Sequence, residues 1–139
     1  MSLQNIVPII KTNNTMKTSL GQLHHQATDW LRELDFYAEE SNLLLIRLEE
    51  AESKTVLADL KLQFEDFKKQ FKSLLSEIVV MKHDIGVREA VVEELTNDNL
   101  GEDKVISITD DVILKDMKEL VQEFMDTRFL FNFFLSKQM

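Results

Sequence analysis

The chain contains no cysteine. That excludes disulfides, zinc–thiolate sites, cysteine nucleophiles and thiol redox chemistry. It has one proline and three glycines in 139 residues. Sheets and their turns draw on these residues for a positive or fixed φ. Their scarcity, with abundant Leu, Glu and Lys, points to long helices. No stretch approaches the roughly 20 apolar residues that a membrane-spanning helix requires. The first residues lack the basic start of a secretory signal, and Pro8 breaks the run Ile6, Val7, Ile9 and Ile10. Basic residues are in the minority: 16 Lys and Arg stand against 25 Asp and Glu, for a net charge of -9. Such a chain gains nothing from counterion release on nucleic acid and is repelled by anionic membrane surfaces. The expectations are no nucleic-acid partner, no membrane partner and a cytoplasmic location.

What is present is heptad patterning. Hydrophobic residues make up 44% and charged residues 29%, enough for one domain with one core. Residues 1–14 read as a flexible arm, because Pro8 and Asn13-Asn14 resist regular structure. A first helix is expected to start between Thr15 and Ser19. Its seam runs Leu20, Leu23, Ala27, Trp30, Leu34, Tyr37, Ser41, Leu44, Leu48, Ala51, in alternating steps of three and four. Leu31, Ala38 and Leu45 widen the stripe, so this helix should touch at least two neighbours. A second seam runs Leu57, Leu60, Phe64, Phe67, Phe71, Leu74, Ile78, Met81, Ile85, Arg88, Val92, Leu95. Continuing the first heptad would demand Thr55 and Ala58 instead. The two-residue shift matches neither a stutter nor a stammer, so the spacing predicts a tight reversal around Glu52–Thr55, with Ser53 or Thr55 capping the new helix. The seam keeps its phase across Gly86, which reads as a tolerated glycine inside a continuous helix.

The segment from Thr96 to Asp103 is rich in turn residues and reads as a loop. A third helix is expected from Ser107–Asp110, where those two residues have capping-box spacing. Its seam is Ile113, Met117, Leu120, Phe124, Thr127, Phe131, Phe134. From Phe129 to Leu135 it is apolar nearly all round, as in a helix end buried on several sides. The predicted fold is all-α: three long antiparallel helices forming a helical bundle with an extended helical hairpin, one domain over 15–139.

Motifs for chemistry are scarce. A di-iron bundle wants Glu-x-x-His on two helices, but Gly21, Gln22 and Val80 stand three residues before His24, His25 and His83. His24, His25, Asp29 and Glu33 could bring two or three ligands to one metal, yet such i, i+4 polar pairs are common on solvated helix faces. His83 beside Asp84 reads as a surface pair. No glycine-rich phosphate loop and no serine elbow is present. Trp30 and Tyr37, one heptad apart on the first seam, read as core. Arg88, the lone polar residue of its seam, reads as lying near the bundle end and snorkelling to water; fixing the register is the second reading. No catalytic residue, cofactor or metal ligand is assigned, and the chain is expected not to be an enzyme.

The runs Trp30 to Glu40 (WLRELDFYAEE) and Arg47-Leu48-Glu49-Glu50, then Ser53-Lys54-Thr55 ahead of Val56-Leu57-Ala58, and the ending Phe131 to Lys137 (FNFFLSK), stand out. Together they resemble an uncharacterised family of small bacterial all-helical, coiled-coil-like proteins. The likeness covers most of residues 24–139. It implies an all-helical fold with no established activity and no site residues. The chain departs from the resemblance at Gln138, near where the family carries a Trp.

The functional expectation is a non-enzymatic structural or interaction module that self-associates, as a homodimer, or clasps another helical protein. The alternative is a bundle holding a metal or ligand through His24, His25, Asp29 and Glu33. A loop centred near residue 104 sets Phe134 opposite Leu74, so the third helix should run out before the hairpin tip. Two helices cannot bury so wide a stripe, and large exposed apolar patches mark interaction sites. Leu43, Leu45, Phe64, Phe67, Phe71, Phe131 and Phe134 are therefore the candidate self-association surface.

Overall fold

The computed structural model describes the backbone over 2–98 and 103–138, and side chains over 21–94 and 108–138. Three α-helices account for nearly all of it: α1 Ser2–Lys54, α2 Lys61–Asp98 and α3 Asp103–Gln138, with a single 3-10 turn, Ala58–Leu60, leading into α2. The all-α bundle expected from the seams is what is observed, with no strand among the described residues. At 1.5 Å per residue the helices are about 80, 57 and 54 Å long.

α1 is longer than its pattern suggests. It begins at Ser2, so the start expected at 15–19 moves towards the N-terminus and Pro8, Asn13 and Asn14 fall within helical backbone. The signals that argued for an arm act through propensity, about 3 kcal/mol for an interior proline and less for asparagine, and propensity disfavours helix without forbidding it.

The reversal lies between Lys54 and Ala58, close to where the phase shift places it. The capping differs. Thr55 Oγ1 donates to the Ala51 carbonyl at 2.8 Å, Ser53 Oγ donates to the Glu50 carbonyl at 2.7 Å, and the Thr55 N–H donates to the Glu52 carbonyl at 3.1 Å. These hydroxyls therefore close the C-terminus of α1, whose last carbonyls have no partner inside the helix, and they do not cap α2. Leu57, in extended conformation, precedes the 3-10 turn with no side-chain cap. The hairpin thus turns without glycine. Gly86 sits inside an unbroken α2, as its seam phase predicts.

α2 is the central helix. α1 and α3 both pack along it, while α1 and α3 touch each other least. Pairs at both ends and the middle set the antiparallel register of α1 on α2: Lys68 Nζ with Glu52 Oε1 at 3.1 Å, Lys82 with Asp35, and His24 Nδ1 with Glu89 Oε2 at 2.8 Å. One continuous core runs the length of the bundle, from Ala27, Trp30, Ile85 and Ile113 to Leu48, Phe64 and Phe134. Among the described residues no helix is long and apolar enough to cross a membrane.

The third helix does not stop short of the hairpin tip. Phe134 meets Phe64 and Phe67 with ring centroids 5.1 and 5.4 Å apart, and Phe131 meets Phe67 and Phe71 at 5.3 and 5.4 Å. α3 starts at Asp103, ahead of the expected Ser107–Asp110. A connection centred about four residues earlier displaces every α2 partner of α3 by about eight residues, some 12 Å along the axis. Of the expected loop, Thr96 to Asp98 belong to α2 and Asp103 to α3, while 99–102 lie outside the described residues.

Candidate functional sites

Three places depart from ordinary core and ordinary solvated surface, the third a groove of about 400 Å³ between α2 and α3 lined by Val87, Val91, Ile108 and Val112. The first is a buried polar node. Arg88, 2% exposed, is the largest fully buried side chain of the bundle. Its Nε donates to Asp110 Oδ1 at 2.8 Å and its Nη2 to Asp110 Oδ2 at 2.9 Å, a two-pronged pair between α2 and α3. Its Nη1 donates to the Leu23 carbonyl of α1 at 2.8 Å and to Glu89 Oε1 at 2.6 Å. Glu89 continues to His24, and the guanidinium stands 5.1 Å from the Trp30 ring. Burial alone would push the Arg88 pKa down; the hydrogen bonds and charges of Asp110 and Glu89 more than reverse it, so it stays charged. The snorkelling expected of Arg88 is therefore corrected. Its side chain points inward and ties all three helices together. Asp110 is likewise its partner and not the acidic member of a capping box with Ser107, because α3 has already run two turns before it. The signal was legible: stepping back three from Ile113, Asp110 extends the α3 seam at the loop end, where α2 carries an opposite charge.

The second place is an outward apolar face. Phe129 and Phe133 stack on the solvent side of α3, centroids 6.4 Å apart and planes 3° apart, with Phe129 68% exposed. Met125 extends this strip by one turn and is also exposed. On α1, Phe36, Leu43 and Ile46 form a second exposed strip. Between them runs a groove of about 370 Å³, lined by Glu40, Leu43, Leu44, Arg47, Arg128 and Asn132 among others. About one turn before Glu40 on α1, Tyr37 meets Phe124 at 5.0 Å and Phe36 at 5.2 Å. Burial, then the nearby Glu33 charge, raise the Tyr37 pKa, with Arg128 opposing.

The expected self-association surface needs correction. Phe64, Phe71, Phe131 and Phe134 are buried in the three-helix core, and Phe67 and Leu45 are half-buried against it. Only Leu43, 59% exposed, faces solvent. Phe131 and Phe134 of α3 cover Phe64, Phe67 and Phe71, because the earlier start of α3 carries it to the hairpin tip. Phe129 and Phe133, expected in a helix end buried on several sides, are instead exposed, because α3 packs only its seam face on the bundle; with Phe36 and Met125 they are apolar residues off the seams, and that was the available signal.

His24, His25, Asp29 and Glu33 do not converge. His24 turns to Glu89, while Asp29 lies 3.9 Å from His25 Nε2 and 3.6 Å from Arg32 Nη1. No group of three or more His, Cys, Asp or Glu side chains is placed to hold a metal among the described residues. A further groove between α2 and α3 carries Glu77, Asp84, Asp116, Glu119 and Glu123. Burial raises the Glu77 pKa, and the hydrogen bond and charge of Glu123 across the groove add to it. No family model, curated protein or solved structure matches the chain.

Proposed function

We propose that the chain is a non-enzymatic interaction module, a stiff three-helix scaffold that self-associates through the apolar face of α1 and α3. The stacked, outward Phe129–Phe133 pair is the observation that carries this reading. Aromatic side chains dominate the energetics of protein interfaces, and two of them held side by side in water are a standing driving force for association. The buried Arg88 node suits such a role, since a polar group that must find its partners fixes one helix register at some expense of stability. It would hold the face in a single shape. The metal- or ligand-holding alternative draws less support, because His24 is engaged with Glu89 and Asp29 is shared between His25 and Arg32.

Light scattering tests this. The native chain is expected to exceed the monomer mass at about 100 µM. A Phe129→Glu, Phe133→Glu variant should keep its helical far-UV spectrum and fall to the monomer mass. A native monomer at that concentration contradicts the reading.

A further inference from the structure

We propose that the occupant of this face is a second copy of the chain, related by a two-fold axis parallel to the helices, so that α1 of each protomer lies along α3 of its partner. The inference rests on the interaction-module reading and names its partner and arrangement.

α1 and α3 both run antiparallel to α2, so they run in the same direction, and the Tyr37–Phe124 contact marks one common level. Counting from that level at 1.5 Å per residue, Ile46 is level with Phe133, Leu43 with Phe129 and Phe36 with Met125, each within about 3 Å. All six side chains are exposed. Within one chain these outward strips point away from the core on two different helices. A two-fold axis parallel to the helices preserves height and brings the α1 strip of one copy onto the α3 strip of the other.

Charge selects this axis over the alternative. The α1 strip over 33–50 is mainly acidic, through Glu33, Glu39 and Glu50 against Arg47, while α3 over 118–137 is balanced, with Lys118 and Lys137 at its two ends and Asp126 between them. On the same count Glu33 is level with Lys118 and Glu50 with Lys137, within about 3 Å, so opposite charges meet at both ends of the strip, while Glu39 and Asp126 share a level in its middle. A two-fold axis perpendicular to the helices would set α1 against α1 and place the acidic flank on itself, which disfavours it. A face carrying an acidic-apolar strip beside a charge-balanced apolar strip, with lysines level with its end glutamates, is complementary to itself at both ends, the condition for an isologous dimer.

The strip from Glu33 to Glu50 is about 26 Å long and two helices, roughly 20 Å, wide. That is about 500 Å² per protomer in projection, below the roughly 800 Å² of a standard interface. Two chains of like net charge also repel once they approach within the screening length. The dimer is therefore concentration-dependent.

The absence of native cysteine makes disulfide trapping clean. Ile46→Cys and Phe133→Cys are prepared as separate chains, with Glu50→Cys and Lys137→Cys as a second pair, all at exposed positions. Each is oxidised mildly at about 200 µM, alone and mixed with its counterpart, alongside light scattering of the native chain. The mixed 46–133 and 50–137 cross-links should exceed either homodisulfide at least tenfold. Dominant homodisulfides, or a dimer by mass that forms no mixed cross-link, overturn the arrangement and leave the interaction reading standing. A native monomer overturns both.

Discussion

Phe134 of α3 meets Phe64 of α2 edge-on, ring centroids 5.1 Å apart and planes at 82°. This contact carries the third helix to the closed end of the hairpin, beside Leu48, and makes the bundle three helices thick there. Phe64 is 1% exposed as a result. Truncating a buried phenylalanine removes its transfer free energy and leaves a cavity. Phe64→Ala should therefore lower unfolding stability by about 3–5 kcal/mol, read by urea denaturation. Phe129→Ala should change it by no more than about 0.5 kcal/mol at concentrations where the chain is monomeric.

The Arg88–Asp110 pair should behave as a buried ion pair. Asp110→Ala strands a guanidinium in the core and should lose about 3 kcal/mol, the low end for breaking such a pair because Glu89 still reaches Arg88. A joint Arg88→Met, Asp110→Leu variant should recover most of that loss, since apolar replacement of both partners removes the desolvation penalty. A double-mutant cycle measures the recovery. If the double variant is as unstable as the single one, the node contributes more than its charge pairing.

Ser41 is fully buried on the α1 seam, and its hydroxyl has no hydrogen-bond partner. A buried hydroxyl without a partner carries its desolvation penalty uncompensated. Ser41→Ala should be neutral or stabilising by up to about 1 kcal/mol. A loss of stability on thermal melting would mean that the hydroxyl is bonded in solution.

Glu77 faces Glu123 across the α2–α3 groove, and its pKa is raised above its ordinary 4.5, first by burial and then by that neighbour. The sign follows from linkage: the folded state holds this proton more tightly than the unfolded state. The penalty is therefore present in full above the folded pKa and is relieved as pH falls towards 4.5. Glu77→Gln should be more stable than the native chain at pH 7, with the gap closing on acidification. Parallel pH–stability curves for the two proteins would contradict it.

The helices and their seams were legible in the sequence because burial repeats every three and four residues. Leu34, Leu48, Phe71, Ile85 and Phe131 all lie where the heptads place them. The reversal was legible because a two-residue phase shift has no continuous-helix solution. The candidate site was not. Its location depended on where α3 begins, and helix starts are set by capping and loop geometry that periodicity does not encode. A start at Asp103 rather than Ser107–Asp110 moved four phenylalanines from a supposed surface into the core. The side chains left outside, Phe36, Met125, Phe129 and Phe133, became conspicuous only once the inward stripe had been filled. Arg88 stands out as the lone polar residue of its seam, but Asp110 fits both a capping box with Ser107 and the α3 seam, and only the position of the α3 start decides between the two.

The central claim is that association uses the outward strips of α1 and α3 and leaves the hairpin phenylalanines in the core. Amide hydrogen exchange of the native chain at about 2 and about 200 µM tests it without any substitution. The account predicts added protection at the higher concentration confined to about residues 33–50 and 118–137, with peptides from the outer face of α2 unchanged. Protection that rises around Phe64 to Phe71, or that does not depend on concentration anywhere, would contradict it.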